Sequence, residues 1–266
     1  MYIDSHSHWS DPRYTPEIVE SLLKKSEELD ISEFMLGGVD PLDWLRQLEL
    51  KQMYPKSFHL CFGLHPYFVS KNTAVDCEIA LDELVKIIDQ AQALGETGLD
   101  FRDKILESGG LSHDEARAHQ IDFFENQIEL AKVYQKPLVL HIVQGHEKAL
   151  QIFEMWGVPD KKGMVHAFNG SYETAIKYID LGFMISVGGA VTFDKHQKLH
   201  QAVAQIPVDF LLLESDSPDQ APQNWKGLND SSSLWQIAEK IGQLRGITAE
   251  TALEISTKNF KKLFTL

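Results

Sequence analysis

The sequence predicts a (β/α)8 TIM barrel, a single α/β domain over residues 1–266. Three observations carry that expectation. Eight short apolar stretches alternate with eight or more helical patterns of period 3.6, the order of a parallel sheet covered by helices. The length of 266 residues is close to the roughly 250 typical of such barrels. Titratable side chains interrupt the apolar stretches near their C-terminal ends, where this fold carries its functional groups. A doubly wound open sheet would show the same alternation, but strand count and length favour the barrel.

Residues 2–8 form the first predicted strand, and Ile18, Leu22, Leu23 and Leu29 mark a helix at 16–29. A strand at 32–39 precedes a helix at 41–53 with Pro41 in its first turn. The third strand, 58–64, runs into Gly63-Leu64-His65-Pro66, and a helix is expected at 76–92. Residues 93–100 read as a less apolar strand, followed by a loop containing Gly109 and Gly110. The longest helix spans 113–134, with Ser112 and Glu115 spaced as a capping box. Pro137 stops it ahead of the strand at 138–143. Helices at 145–156, 171–181 and 195–204 alternate with strands at 163–168, 183–187 and 210–214. The last strand is almost wholly apolar, as burial on both faces requires. Helices near 231–245 and 248–263 follow, with the cap at Thr248 open.

Composition narrows the function classes. Hydrophobic residues make up 43% and charged residues 24%, ordinary for a globular chain with a substantial core. The net charge of −14 disfavours sequence-independent binding along a nucleic acid, which needs a basic footprint. It does not exclude a nuclease, because metal ions add local positive charge. Cys61 and Cys77 give no disulfide framework, so a reducing cytoplasm is the expected compartment. No leader pattern and no apolar run of about 18 residues is present, so no membrane association is expected, and no protein partner is evident.

The strand ends carry the chemistry. The first ends in His6 and His8, the third in His65, and the fourth carries Glu96 and Asp100. The fifth carries His141, the sixth His166, and the eighth ends in Glu214 and Asp216. A lone strand histidine is more often a hydrogen-bonded core residue than a ligand, and Asp216 before Ser217-Pro218 could simply open a turn. Together the groups ask for a shared cation, since each unpaired buried charge costs several kcal/mol. Four imidazoles and two carboxylates exceed one tetrahedral site, so two divalent ions are expected, with Glu96 able to bridge them. Such a pair acidifies a water between the ions, and Asp216 can act as base and then acid. The chemistry implied is hydrolysis, with Asp216 and Glu96 as the catalytic carboxylates.

These residues resemble the TatD family of metal-dependent hydrolases, within the amidohydrolase-like barrels. The resemblance runs almost end to end. It rests on Asp4-Ser5-His6-Ser7-His8, Gly63-Leu64-His65-Pro66 and Gly95-Glu96-Thr97-Gly98-Leu99-Asp100. It continues through Pro137 to His141, His166-Ala167-Phe168-Asn169-Gly170, Leu213-Glu214-Ser215-Asp216-Ser217-Pro218 and Asn259 to Phe264. It implies that His6, His8 and Asp216 hold one ion, that His141 and His166 hold the second, and that Glu96 bridges them. The ions would be magnesium, manganese or zinc. The resemblance also implies a nuclease acting on DNA or a small phosphoester, with His65 near the site without ligating. Many related amidohydrolases place a carboxylated lysine on strand four, where this chain has Glu96. The sequence departs from the family at Ile142-Val143-Gln144, which lacks an arginine, and at Phe101, Ala167 and Asn169. The resemblance therefore carries over the hydrolytic centre but not the substrate grip, for which the loop cations could stand in or be ordinary solvated charges. Arg13, Arg102 and Lys195 lie on loops at the active end, and His65 and Asp100 complete the candidate substrate contacts. Two other readings compete with a nuclease: an enzyme cleaving an amide or ester of a small molecule, and a metal-stabilised barrel that serves as a binding partner.

Overall fold

The computed structural model describes residues 1–265. In chain order the strands are β1 (Tyr2–Ser7), β2 (Ile31–Leu36), β3 (Phe58–His59), β4 (Cys61–Phe62), β5 (Ala93–Asp100), β6 (Leu138–Val143), β7 (Gly163–Val165), β8 (Met184–Val187) and β9 (Leu211–Leu213). The helices are α1 (Pro16–Glu27), α2 (Pro41–Met53), α3 (Pro66–Lys71), α4 (Ala74–Ile87), α5 (Asp103–Leu106), α6 (His113–Val133), α7 (His146–Trp156), α8 (Tyr172–Asp180), α9 (Gln197–Gln205), α10 (Leu234–Arg245) and α11 (Ala249–Phe264). The expected third strand is two short pieces interrupted at Leu60, whose N–H turns to the Gln92 side chain at 2.7 Å. Counting them as one strand gives eight, alternating with helices as expected. Two short helices fall where none was expected. α3 starts on Pro66, whose missing N–H suits a first helical position, and α5 occupies part of the Gly-rich loop.

The residues group into two compact units. The first comprises Met1–Leu36, Glu49–His59 and the chain from His166 onward. Here β1, β2 and β3 pair in parallel, as do β8 and β9. The first and last strands are joined at their C-terminal ends. Ser5 Oγ donates to Leu213 O at 2.8 Å, Asp216 N–H to His6 O at 3.0 Å, and His8 N–H to Ser217 O at 2.7 Å. α11 fastens both strands, with Thr257 Oγ1 accepting from Ile3 N–H at 3.2 Å and Ser256 Oγ accepting from Leu213 N–H at 2.8 Å. Trp9 packs against Phe34 and Phe58 with ring centroids 4.6 and 5.4 Å apart, within this unit's apolar core.

The second unit comprises Gly37–Leu48 and Leu60–Val165. It pairs β4, β5, β6 and β7 in parallel, with Gly98 opposite His141 and Val139 opposite Met164. Its core includes Trp44, Phe62, Phe124 and Phe153. α6 begins on the expected capping box, in which Ser112 and Glu115 exchange bonds with each other's backbone. Two buried glutamines two turns apart on α6 clasp neighbouring strand ends. Gln127 exchanges two hydrogen bonds with the Leu64 backbone, at 2.8 and 3.1 Å, and Gln120 does the same for Asp100, at 2.8 and 2.9 Å.

The β1–β2 ladder loses register between Tyr2 and Ile3 and again between Asp4 and Ser7, and the β5–β6 ladder between Gly95 and Thr97. Such irregularities re-aim side chains, and the last two span His6 and Glu96.

Candidate metal centre

The first unit brings His6, His8 and Asp216 together at the joined ends of β1 and β9. His8 Nε2 lies 3.3 Å and His6 Nε2 3.7 Å from the same oxygen, Asp216 Oδ1. His6 is fully buried and the Asp216 side chain is 6% exposed, whereas that of His8 is 17% exposed. Asp216 Oδ2 accepts a hydrogen bond from the Gln220 side-chain amide, so the carboxylate is pinned by one oxygen and presents the other to the imidazoles. Burial pushes the Asp216 carboxyl up. The hydrogen bond from His8 and the charges of His166, His8 and His6 outweigh that and hold it below its ordinary value.

His166 adds a third imidazole, its ring 4.1 Å from that of His6 between centroids. Its Nδ1 lies 3.5 Å from Glu214 Oε1, and His166, Glu214 and Asp216 form a second group of possible ligand atoms. Glu214 is wholly buried. Oε1 accepts from Ala167 N–H, while Oε2 has no hydrogen-bond partner, and no lysine or arginine pairs with it among the described residues. A buried carboxylate oxygen in that position fits a divalent cation better than an empty space. Glu214 stands at a strand end in the sequence but outside the expected ligand set. Its i, i+2 spacing from Asp216 was the available signal, since that spacing shares a strand face.

The second unit gathers His65, Glu96 and His141. His141 Nδ1 lies 3.3 Å and His65 Nε2 3.7 Å from Glu96 Oε2. His141 Nε2 lies 3.3 Å from Asp100 Oδ2, so the ring donates its Nε2 proton to Asp100 and keeps the Nδ1 lone pair for an ion. His65 is the reverse case. Its Nδ1 accepts from Tyr67 N–H at 2.9 Å, which in a neutral ring places the proton on Nε2. Burial pushes the Asp100 carboxyl up, but hydrogen bonds from Arg102 and His141 outweigh it and hold the group well below its ordinary range.

The candidate substrate contacts divide. Asp100 is wholly buried between His141 and Arg102, so it offers no surface to a substrate and acts through His141. Arg102 is bound to Asp100, with Nε at 2.8 Å from Oδ1. Arg13 is held between Asp11 and Asp219, at 2.9 and 2.6 Å. Two of the loop cations are thus already neutralised.

A sequence model of the family described as TatD related DNase matches residues 3–265. The chain belongs to the TatD family. Similar chains include a metal-dependent hydrolase of Buchnera aphidicola subsp. Acyrthosiphon pisum, 33% identical with 99% of each chain covered. YcfH of Escherichia coli, also named a metal-dependent hydrolase, is 31% identical over 98% of this chain and 95% of its own. Among solved structures, the TatD homolog YjjV of Escherichia coli superposes with a TM-score of 0.86 at 26% identity, covering 100% of this chain and 98% of that one. A TatD family hydrolase of Entamoeba histolytica gives 0.83 at 21% identity, over 98% and 97%. This TatD-family chain therefore has the (β/α)8 fold and is a metal-dependent hydrolase with candidate metal-binding clusters of histidine, glutamate and aspartate. Among the described residues no helix is long and apolar enough to cross a membrane.

Proposed function

We propose that this TatD-family hydrolase cleaves phosphodiester bonds in DNA at a dinuclear divalent-metal centre. In this reading His6, His8 and Asp216 hold one ion, His141 and His166 the other, and Glu96 is shared. The ions are magnesium, manganese or zinc. His6, His8, His166 and Asp216 lie at or just beyond a strand's C-terminal end, where barrels of this class do their chemistry, while Glu96 and His141 stand within β5 and β6. The observation that carries the reading is the convergence of His6 and His8 on one oxygen of a buried, ionised Asp216. The partnerless Glu214 Oε2 supports it.

Divalent cations supply Lewis-acid polarisation of a phosphoryl oxygen and an acidified water. The chain's own groups do the rest. Asp216, ionised at neutral pH, accepts the proton of the attacking water and returns it to the leaving oxygen. Gln220 fixes the orientation of that carboxylate. His65, with Nε2 protonated, donates to a non-bridging phosphate oxygen. The net charge of −14 and the pairing of Arg13 and Arg102 favour a short or single-stranded substrate over a long duplex. The same charge leaves a second reading, hydrolysis of an amide or ester in a small molecule. The two buried free cysteines, Cys61 and Cys77, fit a cytoplasmic enzyme.

The test is a parallel screen of the metal-loaded protein on single- and double-stranded oligonucleotides and on ester and amide panels. Oligonucleotide cleavage that is lost in Asp216→Asn, with the fold kept by circular dichroism, is the expected result. Turnover confined to amides or carboxylic esters would replace the phosphodiester reading with the second one.

A further inference from the structure

One cavity beside Asp216 has no part in the steps above. Asn169, Phe193, Lys195, His196 and Gln220 line it together with two alanines, around a volume of about 230 Å³. That is smaller than the roughly 300–1,000 Å³ of pockets that take a whole drug-sized ligand, so it suits one substituent of a larger molecule. Gln220 connects it to the metal centre, because this lining residue donates its side-chain amide to Asp216 Oδ2. Its charge is distinctive. Unlike Arg13 and Arg102, Lys195 is in no ion pair among the described residues, and its ammonium sits 5.7 Å from the Phe193 ring centroid. The adjacent carboxylate, Asp194, is drawn to Lys240 at 3.4 Å. No acidic residue lines the cavity. His196 Nδ1 lies 3.0 Å from Asn169 Oδ1, which leaves the Asn169 amide N–H groups as further donors. An exposed ammonium with amide donors and no competing carboxylate is a binding environment for an anion.

We propose that this cavity is a substrate subsite for a second anionic group, the phosphate adjoining the scissile phosphodiester, with Lys195 as its charge partner and Gln220 as its link to Asp216. The inference rests on the phosphodiester reading of the metal centre. A substrate with a single phosphate gains nothing from the subsite. One with two phosphates, spaced by a nucleoside, engages the ions and Lys195 together.

Calorimetric titration of the metal-loaded protein with thymidine 3′,5′-bisphosphate and with thymidine 5′-monophosphate tests this directly. Wild type should prefer the bisphosphate by about tenfold, the scale of one charge-assisted contact. Lys195→Ala should erase the preference, Lys195→Arg should retain most of it, and Lys198→Ala, on a lysine that does not line the cavity, should leave it unchanged. The inference is overturned if wild type shows no preference or if Lys195→Ala keeps it. Hydrolysis of bis(4-nitrophenyl) phosphate, which has one phosphate, reads the metal centre separately. Lys198→Ala, outside the cavity, should match wild type on that substrate. Complete inactivity of wild type there and on DNA would sink the phosphodiester reading, while the bisphosphate preference would still decide the subsite.

Discussion

Asp4 touches no ion donor atom, yet it governs where Asp216 sits. It is wholly buried, and its two oxygens accept from the Ser215 N–H and hydroxyl at 2.9 and 2.6 Å, one residue before Asp216. Burial pushes its carboxyl up to about 7, against the Ser215 and Ser231 hydrogen bonds. The ordinary value is 3.8, so between these limits the folded chain holds a proton that the unfolded chain has lost. The stability this contributes is complete below pH 3.8 and is lost as pH rises through about 7. Asp4→Asn should flatten that part of the stability profile in urea denaturation; an unchanged slope would assign the titration to another group. Asp100 has the opposite sign, since its lowered carboxyl contributes stability above its unfolded value and loses it in acid. Its larger effect is on His141. Asp100→Ala should weaken metal binding by roughly 10–100-fold in a chelator competition, the scale for losing an outer carboxylate–histidine bond. Equal affinity in the variant would mean that His141 is oriented by something else. The clustering of the candidate histidines was legible because they interrupt apolar runs. Glu214 was not counted with them although its spacing from Asp216 was a signal, and its bond to Ala167, which joins residues distant in sequence, was not readable.

At the scale of elements, the helices and strands were readable where periodicity is long. α6 and its capping box are where the pattern put them, and Thr248 proves to cap α11 by accepting from Thr251 N–H at 3.1 Å. The break at Leu60 and the short α3 and α5 were not readable. An uninterrupted apolar run does not show where a ladder stops, and a single turn gives no period. Pro66 was the one available sign of α3. The clasp of α11 on β1 and β9 lay equally outside periodicity, because it is made by small polar residues. Ser256→Ala would leave the buried Leu213 N–H without its partner, a loss of about 1–3 kcal/mol. Urea denaturation should show the midpoint fall; no shift would mean that the strand end does not depend on this bond. Gly95 is a second such point. Its φ is +155°, and a Cβ there would lie 2.4 Å from Val139 O. Gly95→Ala should therefore push β5 off β6 and cost metal content along with stability, since Glu96 is the next residue.

On the scale of the whole molecule, an excess of acid meets a need for cations. The chain carries 39 acidic against 25 basic residues, and its buried carboxylates Glu96, Glu214 and Asp216 lie among histidines. Bound ions stabilise a folded state that alone presents the ligands, by about 2.7 kcal/mol per site at a hundredfold excess over Kd. Chelation should lower the thermal midpoint by several degrees, and metal add-back should restore it. A midpoint indifferent to chelator would mean that the clusters hold no ion in solution. The most direct measurement joins binding to chemistry: cleavage of a labelled single-stranded oligonucleotide by metal-stripped protein, followed as manganese is added back. Without metal no cleavage should occur, and activity should saturate near two equivalents per chain. Cleavage that survives complete chelation, or no cleavage at any metal concentration, would contradict it.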